Sequence, residues 1–446
     1  MAQQVVTVVG GGLAGSECAL QLARRGVRVR LCEQRPQGNA PAHHTDRLAE
    51  LVCSNSLKSL REESAAGLLK YELGAMGSQL LAMARQCAVP AGGALAVDRD
   101  RFSAMVTEAV EAHPLIELVR EEVSSIPEGP CVIAAGPLCS PALFSALCSL
   151  VGVDHLSFYD AAAPIVDAQT IDRSIAFSQS RYEDGLGDYL NCPMDRDEYD
   201  RFYEELVSAK RVVSRDFEEA DLFNACQPVE EVARKGHDTL RFGALKPVGL
   251  SDPRTGRRPW AVVQLRPENG DCTAYNLVGF QTNLTWGEQA RVFRMIPGLG
   301  QAEFFRYGVM HRNSFVDAPR VLDDSFAVPG TDVRLAGQIT GTEGYVEAMA
   351  SGLLAAVNTY ADLRGIGRLR LPATTALGSL VAYATNPDTD PYQPMHVNFG
   401  LVPPLEGRRM RKGERYAAYA ARAKRDLEAC LASREDLFGA AVRTDA

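Results

Sequence analysis

The 446-residue chain contains no CxxC and no CxxxxC pair among its eleven cysteines, and its seven histidines form neither HxxxH nor HExxH. Those absences argue against a disulfide framework, a zinc site and a redox-active disulfide beside a cofactor, so no metal is expected. Room for a signal peptide is also lacking, because the first apolar run begins at Val5, directly after Met1-Ala2-Gln3-Gln4. One uncharged run, Cys131 to Val153, is long enough to imitate a membrane span, but Gly136-Pro137 and Ser140-Pro141 interrupt it. It reads better as a buried strand, a turn, and a helix capped by Ser140 with Pro141 in its first turn. No internal repeat or low-complexity tract is present. A positive charge balance is missing too: the net charge of −9 disfavours a polyanionic partner in bulk, and no DNA partner is expected. Basic residues nevertheless cluster at Arg254, Arg257 and Arg258, and again at Arg408, Arg409, Arg411, Lys412 and Arg415. Hydrophobic content of 46% and charged content of 23% are those of an ordinary globular protein with two or three domains, located in the cytoplasm and apart from the membrane.

What the chain does have is a dinucleotide fingerprint complete in its context. The run Val5-Val6-Thr7-Val8-Val9 leads into Gly10-Gly11-Gly12-Leu13-Ala14-Gly15, a helix-like segment follows to Arg25, and a second apolar run, Val27 to Cys32, ends at Glu33. Gly10 suits the tight turn, Gly12 a close approach of backbone to a pyrophosphate, and Gly15 close packing of helix on strand. The pyrophosphate is expected on the amides at the helix N-terminus, where the dipole favours negative charge. Glu33, eighteen residues after Gly15, is placed to accept a ribose hydroxyl.

A late glycine-rich stretch narrows the nucleotide. Asp332 to Gln338, with Gly337, reads as a strand meeting a turn; Gly341-Thr342-Glu343-Gly344-Tyr345 then opens a helix rich in small residues, Val346 to Ala356. A third piece, Cys131 to Pro137 with Gly136, reads as a strand ending in a glycine. Enzymes of the glutathione reductase type close a flavin site with such a late element, so the expected cofactor is FAD. The fold class is then α/β, a Rossmann-like FAD-binding domain of glutathione reductase type with an inserted α+β domain. Because its elements come from both ends, the FAD-binding domain is expected over 1–155 and 320–446, with the substrate domain over 156–319. Strands are expected near Ala261 to Leu265 and Thr273 to Phe280, and an amphipathic helix from about Glu414 to Ser433.

Two cysteines have chemical surroundings. Cys226 precedes Gln227-Pro228-Val229-Glu230-Glu231, a pattern that suits a helix start ended by Gly236, and a helix N-terminus lowers a thiol pKa. His237, Arg241 and Lys246 follow closely and add positive charge. Cys53 is followed by Ser54-Asn55-Ser56, any of which suits the cap of a following helix. A buried, inert thiol is the alternative for each.

Nearly end to end, the chain resembles the bacterial folate- and FAD-dependent tRNA (uracil-5-)-methyltransferase family. The resemblance rests on Gly10 to Gly15, Cys53 to Ser56, Pro90 to Arg99, Ala163 to Ala168, Gly187 to Met194, Cys226 to Leu250, Gly279 to Leu284 and Met310 to Asn313. Departures are Asn224-Ala225, where the family has Glu-Gly, and His396, where it has Asn. The resemblance implies that a Cys226 thiolate adds to uracil C6 and makes C5 a carbon nucleophile. It further implies that 5,10-methylenetetrahydrofolate supplies the carbon, reduced FAD reduces it to methyl, and NAD(P)H reduces the flavin from a transient site. Cys53 takes the place of a second family cysteine beside the flavin; Tyr345 and His311, Arg312 or Asn313 are candidate folate or flavin contacts. The implied substrate is the tRNA T-loop uridine, with a ribosomal RNA uridine, or a generic NAD(P)H oxidoreductase without RNA, as alternatives.

Overall fold

The computed structural model describes residues 4–38, 43–152, 156–161, 163–182, 187–212, 227–308, 310–390, 392–406 and 410–439, with backbone alone over 156–161 and 310–312. Cys226 and the Arg408-Arg409 pair therefore lie outside the described residues.

A parallel five-stranded sheet forms the first layer, in the order Val333–Leu335, Cys131–Ile133, Val5–Val9, Arg28–Glu33, Ile116–Arg120. Val6, Val8, Leu31, Val132, Ile133 and Leu335 are fully buried in it, as expected of parallel strands covered on both faces. The helix Leu13–Arg24 follows the first strand, and the twenty-residue helix Tyr345–Arg364 lies against it. A Cβ on Gly352 would overlap the backbone of Ala14, so the small residues of the later helix let the two helix backbones touch. Ser351 reinforces the contact by accepting the Gly337 N–H on its Oγ at 2.7 Å. The helix expected after Ser140 is present over Pro141–Val151, with the Ser140 hydroxyl accepting the Leu143 N–H at 3.4 Å. Lys412–Ala432 is helical as the C-terminal pattern indicates.

A second core is built on a six-stranded sheet ordered Phe177–Ser178, Leu190–Met194, Ala261–Pro267, Ala274–Leu277, Ile165–Asp167, Phe304–Arg306, paired antiparallel throughout. Phe202, Phe280 and Phe293 pack edge to face or tilted in its buried cluster, with ring centroids 6.3 and 5.3 Å apart. The chain enters and leaves this core through one antiparallel ladder, Leu156–Ala161 against Met310–Phe315. The strands read from the sequence near 261 and 273 are the third and fourth of the sheet.

Candidate active site

The C-terminal ends of all five parallel strands open onto one cavity of about 710 Å³, lined by Gly10, Glu33, Glu121, Ala134 to Gly136 and Gly337 among others. Open α/β sheets bind ligands at this edge, and the volume lies in the usual range for small-molecule sites. Two helix N-termini face the same space. Leu13–Arg24 starts at Gly12 and Tyr345–Arg364 at Gly344, and among the described residues neither start has a side-chain cap. Elsewhere Ser64, Ser78, Asp98, Ser140 and Thr375 cap their helices. At these two starts the backbone N–H groups and the positive dipole end are left for a ligand.

The fingerprint glycines divide by role. Gly10 has φ +103°, and a Cβ there would overlap the Ala134 carbonyl. Gly15 packs against the Gly10 carbonyl behind the turn, whereas nothing lies within 4 Å of a Cβ built on Gly12, which lines the cavity with Leu13 and Ala14. Gly11 is not in the lining: it donates its N–H to Glu33 Oε2 at 2.9 Å. Glu33 does line the cavity, while its Oε1 accepts from Arg35 N and Nε at 3.0 and 2.9 Å. Burial works to raise its carboxyl, but Arg35 and the Gly11 N–H outweigh burial and hold it below the usual carboxylate range.

At the late element Gly337, Gly344 and Tyr345 line the cavity, but Gly341 and Thr342 do not. A short helical turn, Gln338–Thr340, carries them behind it. Gly341 packs against the Tyr392 ring, whose hydroxyl donates to Thr340 O at 2.6 Å, and the Thr342 hydroxyl donates to Gly337 O at 3.1 Å. They shape the turn instead of presenting groups to a ligand.

Cys53 lies in the cavity wall and is partly buried. The expected helix after it is absent: Ser56–Ser59 is a strand, and the next helix begins at Ala65 with Ser64 as its cap. Asn55 is engaged over long range, donating to Val97 O and Pro267 O at 3.1 and 3.0 Å and accepting from Arg266 Nε at 2.7 Å. Tyr345 reaches back to this loop, its hydroxyl accepting the N–H of Cys53 at 2.7 Å and of Ser54 at 3.2 Å. Burial first, and Cys53 next, push its phenol up.

Cys226 itself lies outside the described residues, but its C-terminal flank is described. The helix that follows is only Val229–Arg234, with Pro228 as N-cap. Its Glu230 turns inward, accepting from Thr282 Oγ1 at 2.9 Å and Asn283 N at 2.7 Å, and burial pushes its carboxyl up to about 7. His237 pairs with Asp200 at 3.0 Å, and Arg241 pairs with Asp238 at 3.1 Å while covering the Trp260 ring at 3.5 Å. Both flanks are pinned to one stretch: Val212 donates to Asn283 O at 2.8 Å and Val229 to Gln281 O at 2.7 Å, and Gln281 lines the cavity.

Asn313, a candidate contact from the resemblance, is joined in the lining by Glu347 and Lys58, which the sequence did not single out. Among the described residues the buried amide of Asn313 has neither Nδ2 nor Oδ1 hydrogen-bonded, and Glu347 Oε2 is likewise unpartnered. Glu347 Oε1 accepts from Val397 N at 3.2 Å and Lys58 Nζ at 3.3 Å. His396 stands beside them, its imidazole pushed below its ordinary value by burial and then by Lys58. Orphaned donors and acceptors in a cavity wall are the counterpart of a polar heteroaromatic ligand. The side chains of His311 and Arg312 lie outside the described residues. Of the basic clusters, Arg254 pairs with Asp252 at 2.8 Å, and Arg257, Arg258, Arg411, Lys412 and Arg415 are exposed.

A glycine turn, five converging strand ends and two open helix starts around one cavity define a dinucleotide-binding α/β protein of the type that closes its site with a late second element. Residues 5–367 match the family described as "Glucose inhibited division protein A". The chain is 55% identical over 420 residues to the methylenetetrahydrofolate–tRNA-(uracil-5-)-methyltransferase TrmFO of Moorella thermoacetica, covering 94% of this chain and 96% of that one. It is 56% identical over 432 residues to the protein of the same name from Geobacter sulfurreducens, covering 96% and 99%. The chain belongs to this family. The structure of Aquifex aeolicus GidA, 17% identical, superposes with a TM-score of 0.68 over 96% of this chain and 76% of that one, which shows the shared fold.

Proposed function

We propose that this protein is a folate- and FAD-dependent RNA methyltransferase that forms 5-methyluridine in the T-loop of tRNA in the cytoplasm. The observation that carries the reading is the single cavity in which two open helix starts, the Glu33 carboxylate, the Asn313 amide and Cys53 meet. Those residues fit FAD: the Gly12 helix start would hold a pyrophosphate, Glu33 a ribose hydroxyl, and the Gly344 helix start with Asn313 would supply hydrogen bonds to the polar edge of the ring. Among the described residues no helix is long and apolar enough to cross a membrane.

In the reaction, Cys226 supplies a thiolate that adds to uracil C6, and the displaced π electrons make C5 nucleophilic toward the methylene carbon of 5,10-methylenetetrahydrofolate. Loss of the C5 proton expels tetrahydrofolate from the transferred carbon and leaves an exocyclic methylene on C5; hydride addition to that carbon, with elimination of the Cys226 thiolate from C6, restores the ring and gives the methyl group. Bound FAD, reduced by NAD(P)H, supplies the reducing equivalents that turn the transferred methylene into a methyl group. Cys53 and Tyr345 stand in the wall of that site, and Val212 and Val229, on either side of the Cys226 segment, both bond to Gln281–Asn283, whose Gln281 lines it, which supports the reading. The exposed arginines at 257, 258, 411 and 415 offer phosphate contacts to an RNA that the net charge alone disfavours.

The purified protein is expected to be yellow and to release FAD, not FMN, on denaturation, and Glu33→Ala is expected to weaken flavin retention. A chain that binds FMN as well as FAD contradicts the dinucleotide assignment. Mapping the methylated uridine in both tRNA and ribosomal RNA tests the T-loop assignment; a product confined to ribosomal RNA overturns it.

A further inference from the structure

The loop from Leu51 to Asn55 is gripped by guanidinium groups on both sides of Cys53. Arg99 donates from Nη1 to Leu51 O at 2.7 Å and from Nη2 to Cys53 O at 3.4 Å. Arg306 donates from Nη2 to Val52 O. Arg266 donates from Nη2 to Ser54 Oγ at 2.8 Å and from Nε to Asn55 Oδ1 at 2.7 Å. Three positive charges thus converge on five consecutive residues, in a partly or fully buried setting.

Their compensation is incomplete. Glu268 pairs with Arg99, at 2.5 Å to Nε and 3.2 Å to Nη2. Among the described residues neither Arg266 nor Arg306 forms an ion pair; their contacts are to carbonyl, hydroxyl and amide oxygens. Glu268 also acts through space on Arg266 and Arg306, but it is one carboxylate against three guanidinium groups, and among the described residues the other groups facing this region do not supply the missing negative charge. Glu347 is engaged with Lys58, Glu50 with Arg35, and burial holds the Tyr345 phenol in its neutral form. Burial and then Arg306 push the His44 imidazole below its ordinary value, so it adds neither sign at neutral pH. A thiol in such surplus positive potential ionises more readily than an ordinary one.

We propose that Arg266 and Arg306, with Arg99, are positioning residues that hold Cys53 as a thiolate in the cavity wall. Ionisation sends the Cys53 proton to solvent and leaves the negative charge on Sγ, which the two guanidinium groups lacking a carboxylate reach through space. Arg266 and Arg306 stand on strands of the second core, Ala261–Pro267 and Phe304–Arg306, whereas Cys53 lies on a loop whose Leu51 and Leu57 are buried in the first. The charge state of the thiol is therefore set across the boundary between the cores, and a displacement of the second core changes it. Arg→Lys at either position keeps the charge but loses the planar fork that reaches the loop oxygens.

The use of such a thiolate rests on the carbon-transfer reading above, but its ionisation does not, so the two fail separately. The test is a pH titration of the ultraviolet thiolate absorbance of the full chain, taken as the difference from Cys53→Ser, which needs no reagent to reach the thiol. The midpoint for Cys53 is expected below about 7.5, against about 8.5 for an ordinary thiol. Arg306→Gln is expected to move it back toward the ordinary value, and Arg306→Lys to move it less. A midpoint at or above the ordinary value in the unaltered chain overturns the proposal, even if no variant folds. So does an unchanged midpoint in a folded Arg306→Gln protein. A low midpoint in a chain that transfers no methyl group leaves the proposal standing and removes the methyltransferase reading instead.

Discussion

Replacing Cys226 with alanine is expected to abolish methylation of tRNA while leaving the bound flavin and the thermal stability unchanged. The nucleophile is the one group without which uracil C5 stays unreactive, so the loss is expected on the order of ten-thousandfold or more in turnover. A covalent adduct between protein and RNA, trapped with a uridine analogue that cannot eliminate, is expected to vanish with it. Electrophoresis under denaturing conditions reads the adduct directly. Retention of the adduct in Cys226→Ala, and its loss in Cys53→Ala, exchanges the roles of the two cysteines.

The second large effect separates two glycines of one turn. A Cβ on Gly15 would overlap the carbonyl oxygen of Gly10 and touch Ala134 Cβ at 3.3 Å, with backbone that cannot step aside. Gly15→Ala is expected to cost about 1–3 kcal/mol or more, the range of overpacked cores. It is also expected to release the flavin, because the turn itself must shift. Gly12→Ala meets no protein atom within 4 Å, and its φ of −73° suits alanine. That variant is expected to fold with an unchanged Tm and still retain FAD poorly, because the new methyl occupies the space that the cavity offers the pyrophosphate. Thermal melts with and without added FAD distinguish the two. Equal loss of stability in both variants contradicts the division of roles.

The legible parts of the fold are those whose requirements are local. Gly10 needs a positive φ, Gly15 a close contact five residues away, and Ser140-Pro141 a helix start; each leaves its mark on the residue type itself. The small residues of Tyr345–Arg364 announce a backbone-to-backbone contact for the same reason. What escaped reading depends on partners far along the chain. Ser54, Asn55 and Ser56 have the composition of helix caps, yet Asn55 binds Pro267 O and Arg266, more than two hundred residues away. No periodicity reveals that the third strand of another sheet will end beside them. Near Cys226 the local pattern was legible in part: a helix does start beyond Pro228, at Val229, but it runs only six residues, and Arg241 is held by Asp238 and the Trp260 ring. Gly341 and Thr342 followed the glycine pattern but were carried behind the cavity by a helical turn one residue earlier. The orphaned amide of Asn313 could be found only from side-chain geometry.

The most direct test of the central claim uses 5,10-methylenetetrahydrofolate labelled in its one-carbon unit, with unmodified tRNA, NAD(P)H and the FAD-loaded protein. The account predicts that label appears in the C5 methyl group of a T-loop uridine, and that omitting the reductant prevents it. Label that stays in folate while the flavin is reduced and reoxidised normally would contradict carbon transfer and leave an oxidoreductase without RNA.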